Sequence, residues 1–341
     1  MQKTKHYTIP VFTPEMACPF RCVFCNQQKI SGHFKSPDFN EVTRTIRTYL
    51  NTFKAPNKQV EVGFFGGTFT GIPETIQEKY LETVQPFLQA GEIQGIRLST
   101  RPDYIDKNIL ERLKHYGVTT IELGAQSLDD AVLKKSRRGH TAKQVEEAAT
   151  QIKAAGFDLG LQMMIGLPGD TLEKSLATAD KIIAWGASNT RIYPTLVIKD
   201  TVLHHWYKEG KYQPLSLDEA VNWSKSLLIK FENAGVQVIR MGLHPSEGLL
   251  NGEEWIAGPF HPSFRELVLT EIWYDLLTKH FDSQDKSFTA KQLNLEVSPK
   301  EINYAIGYSG KNRKMLQSFF REVRFYSNEK LDGREFRFHL T

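Results

Sequence analysis

The sequence predicts an α/β fold wound as a barrel or partial barrel, and three observations carry that expectation. Short apolar runs with strand character alternate with amphipathic runs of helical spacing along most of the 341 residues. Seven such strands follow in series with no shift in composition, which favours one continuous sheet over two nucleotide-binding halves. The strands also read as mostly apolar on both faces, as in a parallel sheet covered by helices.

Taken in order, YTIPVF (7–12) reads as the first strand and 38–53 as a helix with Asp38 or Asn40 as its cap. QVEVGFF (59–65) and a helix over 73–90 make the next unit, then GIRLST (95–100) and a helix over 105–115. TTIELG (119–124) leads into a helical region over 129–155, and LGLQMMI (159–165) into a helix over 171–185. NTRIYP (189–194) precedes a loop, a strong helix over 216–235 and a strand, VQVIRMG (236–242). A helix near 263–279 completes the scaffold. Beyond about 285 the pattern changes to a strand within 287–298, a helix over 311–320 and strands at 321–327 and 334–340. The expected division is a barrel core over 1–280 and a small α+β extension over 281–341.

Apolar residues make up 40% and charged residues 24%, an ordinary globular balance. The formal charge of +4 neither requires nor excludes a nucleic acid. No run approaches the 18 apolar residues of a membrane span, and the start lacks the apolar stretch of a secretory leader, so a cytoplasmic setting is expected. Three cysteines cannot all pair within one chain, which argues against a disulfide framework.

Those three cysteines, Cys18, Cys22 and Cys25, lie within eight residues in the spacing C-x3-C-x2-C, directly after the first strand. Soft thiolates there suit zinc or an iron–sulfur centre. Zinc asks for a fourth ligand, with His33 the nearest candidate, or for three ligands and a water. A [4Fe–4S] cube on three cysteines leaves one iron open. Buried apolar cysteines or a small zinc knuckle are the plainer alternative.

Further segments with chemical character lie at strand ends. VEVGFFGGTFTG carries Gly66, Gly67 and Thr68, where paired glycines allow close backbone approach to a ligand. RLSTRPDYI carries Ser99, Arg101 and Asp103, and IELGAQSLDDAVLKKSRRGHT carries Glu122, Gln126, Arg137, Arg138 and His140. GLQMMIGLPGDT carries Gln162, Gly166 and Leu167, and RIYPTLVIKDT carries Arg191, Tyr193 and Lys199.

In this order and placement the segments, over about residues 7–245, resemble the radical S-adenosylmethionine (SAM) superfamily. G-x-Q-S and G-L-P-G are similar to segments of the elongator catalytic subunit and the anaerobic coproporphyrinogen oxidase. The resemblance implies a TIM-type barrel, partial (β/α)6 or near-complete. It implies one [4Fe–4S] cluster on Cys18, Cys22 and Cys25 whose open iron takes the amino and carboxylate groups of SAM. It implies reductive cleavage of the sulfonium to a 5′-deoxyadenosyl radical that abstracts hydrogen from a substrate, with electrons from a flavodoxin- or ferredoxin-type donor. The implied SAM contacts are Phe24, Gly66, Gly67, Thr68, Ser99, Arg101, Gln126, Arg138, Gln162, Gly166, Leu167 and Tyr193. Among these, Arg138 matches an arginine on the SAM carboxylate, with Arg137 its competitor.

The chain departs from these relatives in three places, the first being a cysteine spacing shorter than that typical of the elongator subunit. An acetyltransferase module like that of the elongator subunit is not expected. The oxidase's further cysteine is replaced by CNQQKISG, so porphyrin oxidation is not expected either. Once a cluster takes all three cysteines, no thiol is left for a second cysteine-bound cluster or for catalysis.

Arg240, His244, Glu247, His261 and Arg265 fall near the last strand ends, and Lys199, His244 and His261 are the candidate catalytic groups. The expected substrate is a small, partly aromatic metabolite, for instance a queuine-type deazapurine handled by a lyase in queuosine salvage. A tRNA nucleoside modified in place is the alternative. Lys311, Arg313, Lys314, Arg321 and Arg324, interleaved with Phe319, Phe320 and Phe325, offer phosphate contacts and stacking. A non-catalytic scaffold or cofactor chaperone is the third reading.

Overall fold

The computed structural model describes residues 4–13, 18, 22–32, 35–243, 246–281 and 291–341. His33 and His244 lie outside the described residues. The chain divides into two compact units, one of residues 1–216 and 227–262 and the other of residues 217–226 and 263–341.

In the first unit the strands are β1 (Lys5–Phe12), β2 (Lys58–Phe65), β3 (Gly95–Thr100), β4 (Val118–Gln126) and β5 (Asp158–Ile165). They continue with β6 (Asn189–Pro194), β7 (Val197–Ile198), β8 (Gln237–Met241) and β9 (Trp255–Ala257). Seven of these form one parallel sheet in the order β1-β2-β3-β4-β5-β6-β8, curled as a partial barrel with β1 and β8 at its edges. Strands β7 and β9 make a separate antiparallel pair. The helices are α1 (Gln27–Ser31), α2 (Phe39–Thr52), α3 (Glu74–Gln89), α4 (Lys107–His115), α5 (Asp130–Lys135) and α6 (Ala142–Ala154). After them come α7 (Leu172–Ala184), α8 (Val202–Lys208), α9 (Leu217–Asn233), whose first ten residues belong to the second unit, and α10 (Glu247–Leu250).

Local chemistry explains where the helices begin. Asp38, not Asn40, caps α2: its side chain accepts from the Glu41 N–H while Glu41 reaches back to the Asp38 N–H. The helical region expected over 129–155 is two helices. Asp129 caps α5 and Thr141 caps α6. Between them Arg137 (φ 53°) and Gly139 (φ 76°) are left-handed, so the chain turns there and brings Arg138 inward.

The sheet has one apolar face. Ile9, Val62, Phe64, Leu98, Ile121, Leu123, Leu161 and Ile192 alternate along it, all fully buried. The opposite face carries Glu61, Arg97, Glu122, Gln162, Asn189 and Arg191. The expectation of strands apolar on both faces is therefore corrected. Helices cover the outside of a partial barrel, while its inner face carries polar side chains that pair with one another.

The second unit contains α11 (Phe264–Phe281), β10 (Gln292–Val297), α12 (Ile302–Ile306), α13 (Lys311–Gln317), β11 (Glu322–Ser327) and β12 (Phe336–Leu340). Strand β10 is central, parallel to β11 and antiparallel to β12. Its core joins Trp273, Leu277, Leu293, Leu295, Val297 and Leu316, and the Trp273 indole N–H donates to Glu301 at 2.8 Å. Among the described residues no helix is long and apolar enough to cross a membrane.

Candidate active site

The cysteine loop is held from both sides at one residue. Val23 donates its N–H to the Ser136 carbonyl (3.2 Å) and accepts the Leu203 N–H (2.7 Å). Cys22, Val23 and Phe24 pack in one apolar cluster with Val132, Leu167, Val197, Leu203 and Tyr212. Phe24 and Leu167, both implied SAM contacts, thus share a wall. Cys18 is exposed, Cys22 buried and Cys25 half-buried. Burial, with the neighbouring thiols of Cys22 and Cys18, pushes the Cys25 thiol up to about 12.

The sulfurs also receive donors. Arg138 Nη1 lies 3.2 Å from Cys22 Sγ, and Gln27 Nε2 lies 3.5 Å from Cys25 Sγ. N–H donors aimed at sulfur suit metal-bound thiolates. The donor set therefore fits an iron–sulfur group. Among the described residues no three His, Cys, Asp or Glu side chains form a site for a single ion. A cube asks for something else, since each of its cysteines binds a different iron.

Next to the cysteines the end of β4 is distorted. The β4–β5 register slips between Gly124 and Gln126, and Gln126 takes φ 67°, a left-handed conformation rare for glutamine. Gly124 lies close beneath two side-chain ends: a Cβ there would sit 2.9 Å from Gln126 Nε2 and 3.3 Å from Arg138 Nη2. Arg138 is buried and donates from Nη2 to the Gly124 carbonyl at 2.5 Å. Arg101, also buried, holds Asp103 with two bonds of 2.9 Å and the Arg138 carbonyl with one of 2.7 Å. One guanidinium thus joins a cysteine sulfur to the bulged strand end, and a second fixes the backbone of the first.

Gln126 Oε1, Arg138 Nε and His140 Nδ1 are buried here without protein partners. Three orphaned polar atoms around one bulge fit a polar small molecule such as SAM. Burial, then Arg138 and Arg101, push His140 down to about 3, so it is neutral at physiological pH.

The remaining expected residues lie as follows. Gly66 is left-handed (φ 101°) and Thr68 is buried, in the turn that follows β2. Gln162 Nε2 donates to Ser99 Oγ and to Glu122 Oε2, both at 3.0 Å. The Gly166 N–H donates to Asp170 Oδ2 (3.0 Å), and the Gly166 carbonyl accepts the Tyr212 hydroxyl (2.7 Å). Tyr193 is half-buried beside Arg191. Of the candidate catalytic groups, Lys199 is exposed and its backbone N–H bonds to the Glu254 carbonyl, while His261 is half-buried.

A buried network extends the site along the lumen. Glu122, with no exposed surface, takes two bonds from Arg191 (2.6 and 2.9 Å) and one from Arg97 (2.9 Å). Arg97 also pairs with Glu61 at 3.1 Å. Burial alone raises the Glu122 carboxyl, but Arg191 and Arg97 outweigh it and hold the group below the usual carboxylate range. Glu61, Arg97 and Asn189 were not among the expected site residues. The signal that could have found them is a polar residue among apolar ones within QVEVGFF, GIRLST and NTRIYP. Asp170 and Tyr212 had no such signal, since both act through loop backbone.

A model of the family described as the radical SAM superfamily matches residues 16–182, and one described as the radical SAM C-terminal domain matches 188–274. The chain is 31% identical to human Elongator complex protein 3 over 264 residues, covering 72% of this chain and 47% of that protein. It is 28% identical over 239 residues to a tRNA uridine(34) acetyltransferase of Dehalococcoides mccartyi, covering 60% and 52%. It therefore spans about half the length of these relatives. An Elp3 structure from Methanocaldococcus infernus, with an N-terminal deletion, superposes with a TM-score of 0.61 at 20% identity, over 81% of this chain and 63% of that one. Streptococcus suis SuiB bound to S-adenosylmethionine gives a TM-score of 0.51 at 14% identity, over 77% and 55%. At such identities these structures speak to the fold.

Proposed function

The chain belongs to the radical SAM superfamily, and from that premise we propose that it uses a [4Fe–4S] cluster and SAM to modify a nucleoside of tRNA. When bound, that pair supplies reductive cleavage of SAM and a carbon radical that removes a hydrogen atom from the substrate. Cys18, Cys22 and Cys25 would hold the cluster, with Gln27 and Arg138 donating to its sulfurs. Arg138 and Arg101 would orient the SAM carboxylate, and Gln126 Oε1 and His140 Nδ1 would accept hydrogen bonds at its polar end. Ser99 and Gln162 suit the ribose. Phe24 and Leu167 would keep water from the adenosyl group, and Asp170 and Tyr212 would hold the Gly166 backbone that borders it.

The observation that carries the chemistry is Arg138 spanning Cys22 Sγ and the Gly124 carbonyl, because it makes the sulfur loop and the bulged strand end a single cradle. The tRNA assignment is supported by relatives whose names include tRNA uridine(34). A free modified nucleobase, the substrate first expected, stands second; the polar lumen favours it, since a small substrate could be enclosed there.

The test is anaerobic reconstitution, expected to load about four irons per chain, followed by reduction with SAM and assay of 5′-deoxyadenosine. Unmodified tRNA should stimulate release, and Arg138→Gln should lower it tenfold or more while leaving iron content near wild type. Stimulation by a deazapurine base and not by tRNA would select the second reading. A reconstituted chain that releases no 5′-deoxyadenosine with either would end both.

A further inference from the structure

We propose that the exposed cations at the end of α5 and on α8 form the docking face for a small acidic protein that delivers one electron to the cysteine loop. The inference deepens the function proposed above. It rests on the reading that the loop holds a reducible iron–sulfur group, and it names the kind of partner that reduces it.

Helix α5 carries Asp129 and Asp130 at its N-terminal end and Lys134 and Lys135 in its last turn, each sign where the helix dipole favours it. The cations therefore gather at the end that meets the cysteine loop, where the Ser136 carbonyl accepts the Val23 N–H. The chain then turns through left-handed Arg137, which stays exposed, while Arg138 is buried and reaches Cys22 Sγ. On the other side of Val23 its carbonyl accepts the Leu203 N–H from α8, whose last turn carries Lys208. Lys135 also lies across the turn after β5, since a Cβ on Gly169 would stand 2.9 Å from its Cδ. The two segments that pin the cysteine loop are thus the ones that carry the cations, and all of them belong to the first unit.

Local acids leave these cations in excess. Segments 129–141 and 201–212 hold six Lys and Arg against Asp129, Asp130 and Glu209. Asp129 accepts the Val132 N–H and pairs with Lys174 at 3.5 Å, Asp130 accepts the Ala142 N–H at 2.8 Å, and Glu209 pairs with Lys211 at 2.8 Å. Of the acids on neighbouring segments, Asp103 holds Arg101, Asp200 and Glu254 hold Lys29, and Asp170 accepts from Gly166, Thr171 and Ser175. Glu173 stays exposed at the start of α7. Lys134, Lys135, Arg137 and Lys208 are exposed, and none of the four makes an ion pair among the described residues. Cations held in this way attract an acidic surface and speed its arrival.

Trp206 joins the charged face to the sulfurs. It packs against the apolar cluster that contains Cys22, Val23 and Phe24, and the Arg137 guanidinium lies 5.9 Å from its ring centre. An electron arriving at this face has one aromatic side chain and the Arg138–Cys22 contact between it and the loop. The same ring favours a protein over a nucleic acid. Bases stack on rings that stand open, whereas Trp206 is half-buried between the cluster and a guanidinium. Charge without a stacking platform suits the small, weak encounters of electron-carrier proteins. In the transfer the carrier is oxidised by one electron and the iron–sulfur group is reduced by one, with no bond made or broken and no proton moved.

Stopped-flow reduction of the anaerobically reconstituted chain tests the proposal, with flavodoxin hydroquinone as the probe and dithionite as a reductant that needs no docking face. The wild-type rate constant with flavodoxin should fall about tenfold from low to high salt. Lys134→Glu/Lys135→Glu should lower it about tenfold at low salt and flatten the salt dependence, with the dithionite rate within about twofold of wild type. Lys54→Glu/Lys79→Glu makes the same charge change on exposed lysines after α2 and on α3, and should keep the flavodoxin rate within about threefold. A wild-type rate insensitive to salt overturns the docking face. So does an iron-loaded Lys134→Glu/Lys135→Glu chain that flavodoxin reduces as fast as wild type, or an equal loss in the control variant. Filter binding covers the nucleic-acid reading: loss of tRNA affinity in Lys134→Glu/Lys135→Glu with an unchanged flavodoxin rate also overturns it. Should that variant fail to fold, Lys134→Gln/Lys208→Gln is read by the same criteria, with about a threefold loss expected. A chain that loads no reducible iron ends this proposal together with the proposed function. A chain that flavodoxin reduces but that releases no 5′-deoxyadenosine ends the function alone.

Discussion

Glu122 shows how far one side chain's state depends on partners distant in sequence. Its carboxylate is buried and held by Arg191 from β6, Arg97 from β3 and Gln162 from β5. Removing the charge leaves two guanidiniums facing a neutral amide in a region of low dielectric. Glu122→Gln is therefore expected to cost about 3–5 kcal/mol in denaturant unfolding, and a loss under about 1 kcal/mol would show the network to be incidental. The sign of its pH dependence follows from its depressed value. The folded carboxyl binds protons more weakly than the unfolded one, so its contribution is complete above the unfolded value and is lost as pH falls through the folded value. The Gln variant should lose stability less steeply in acid than the wild type.

At the scale of elements, the turn after β5 and the strand itself make separate predictions. Asp170 accepts the Gly166 N–H, the Ser175 hydroxyl at 2.8 Å and the Thr171 N–H at 2.9 Å. Burial nevertheless pushes it up to about 6 from an ordinary 3.8. The folded carboxyl thus holds its proton more tightly than the unfolded one. Stability falls as pH rises through the window between these two values, by at most about 3 kcal/mol. Denaturant midpoints across that window should show this decline, and Asp170→Asn should flatten it; parallel curves would refute the assignment. In β5, Gly160→Ala forces a Cβ against Asn189 and Glu122 and should destabilise the protein by about 1–3 kcal/mol. An unchanged midpoint would mean the lumen network can shift to admit a methyl group.

Across the whole molecule, charge is unevenly placed. Residues 311–341 hold eight Lys and Arg and four Asp and Glu, an excess equal to the +4 of the entire chain. Lys311 pairs with Glu271 and lies 5.0 Å from the Tyr274 ring, while the Arg313 guanidinium lies 5.6 Å from the Phe325 ring. Cations beside aromatic rings suit phosphate contact with base stacking. If tRNA is the substrate, replacing Lys311 and Arg313 with alanine should weaken its binding and lower the salt dependence by about one to two phosphate contacts. Filter binding at several salt concentrations measures both, and unchanged values would remove this surface from tRNA recognition.

The order of strands and helices was legible in the sequence because it depends on local periodicity, and QVEVGFF or the α2 capping residues carry that signal within a few positions. The cysteine spacing was legible for the same reason: three cysteines on one short loop need no distant partner. The inner face of the barrel was not. Arg97, Glu122 and Arg191 look like single charges in separate strands until register lays them side by side, 25 and 69 residues apart along the chain from Glu122. Nor does a string of residues reveal the bulge that turns Gln126 left-handed or the turn that buries Arg138 against Cys22. Local backbone preference decided which segments become strands and where the sulfurs stand. Curvature and pairing decided which side chains meet, because a buried charge is tolerated only where the fold delivers its counter-charge.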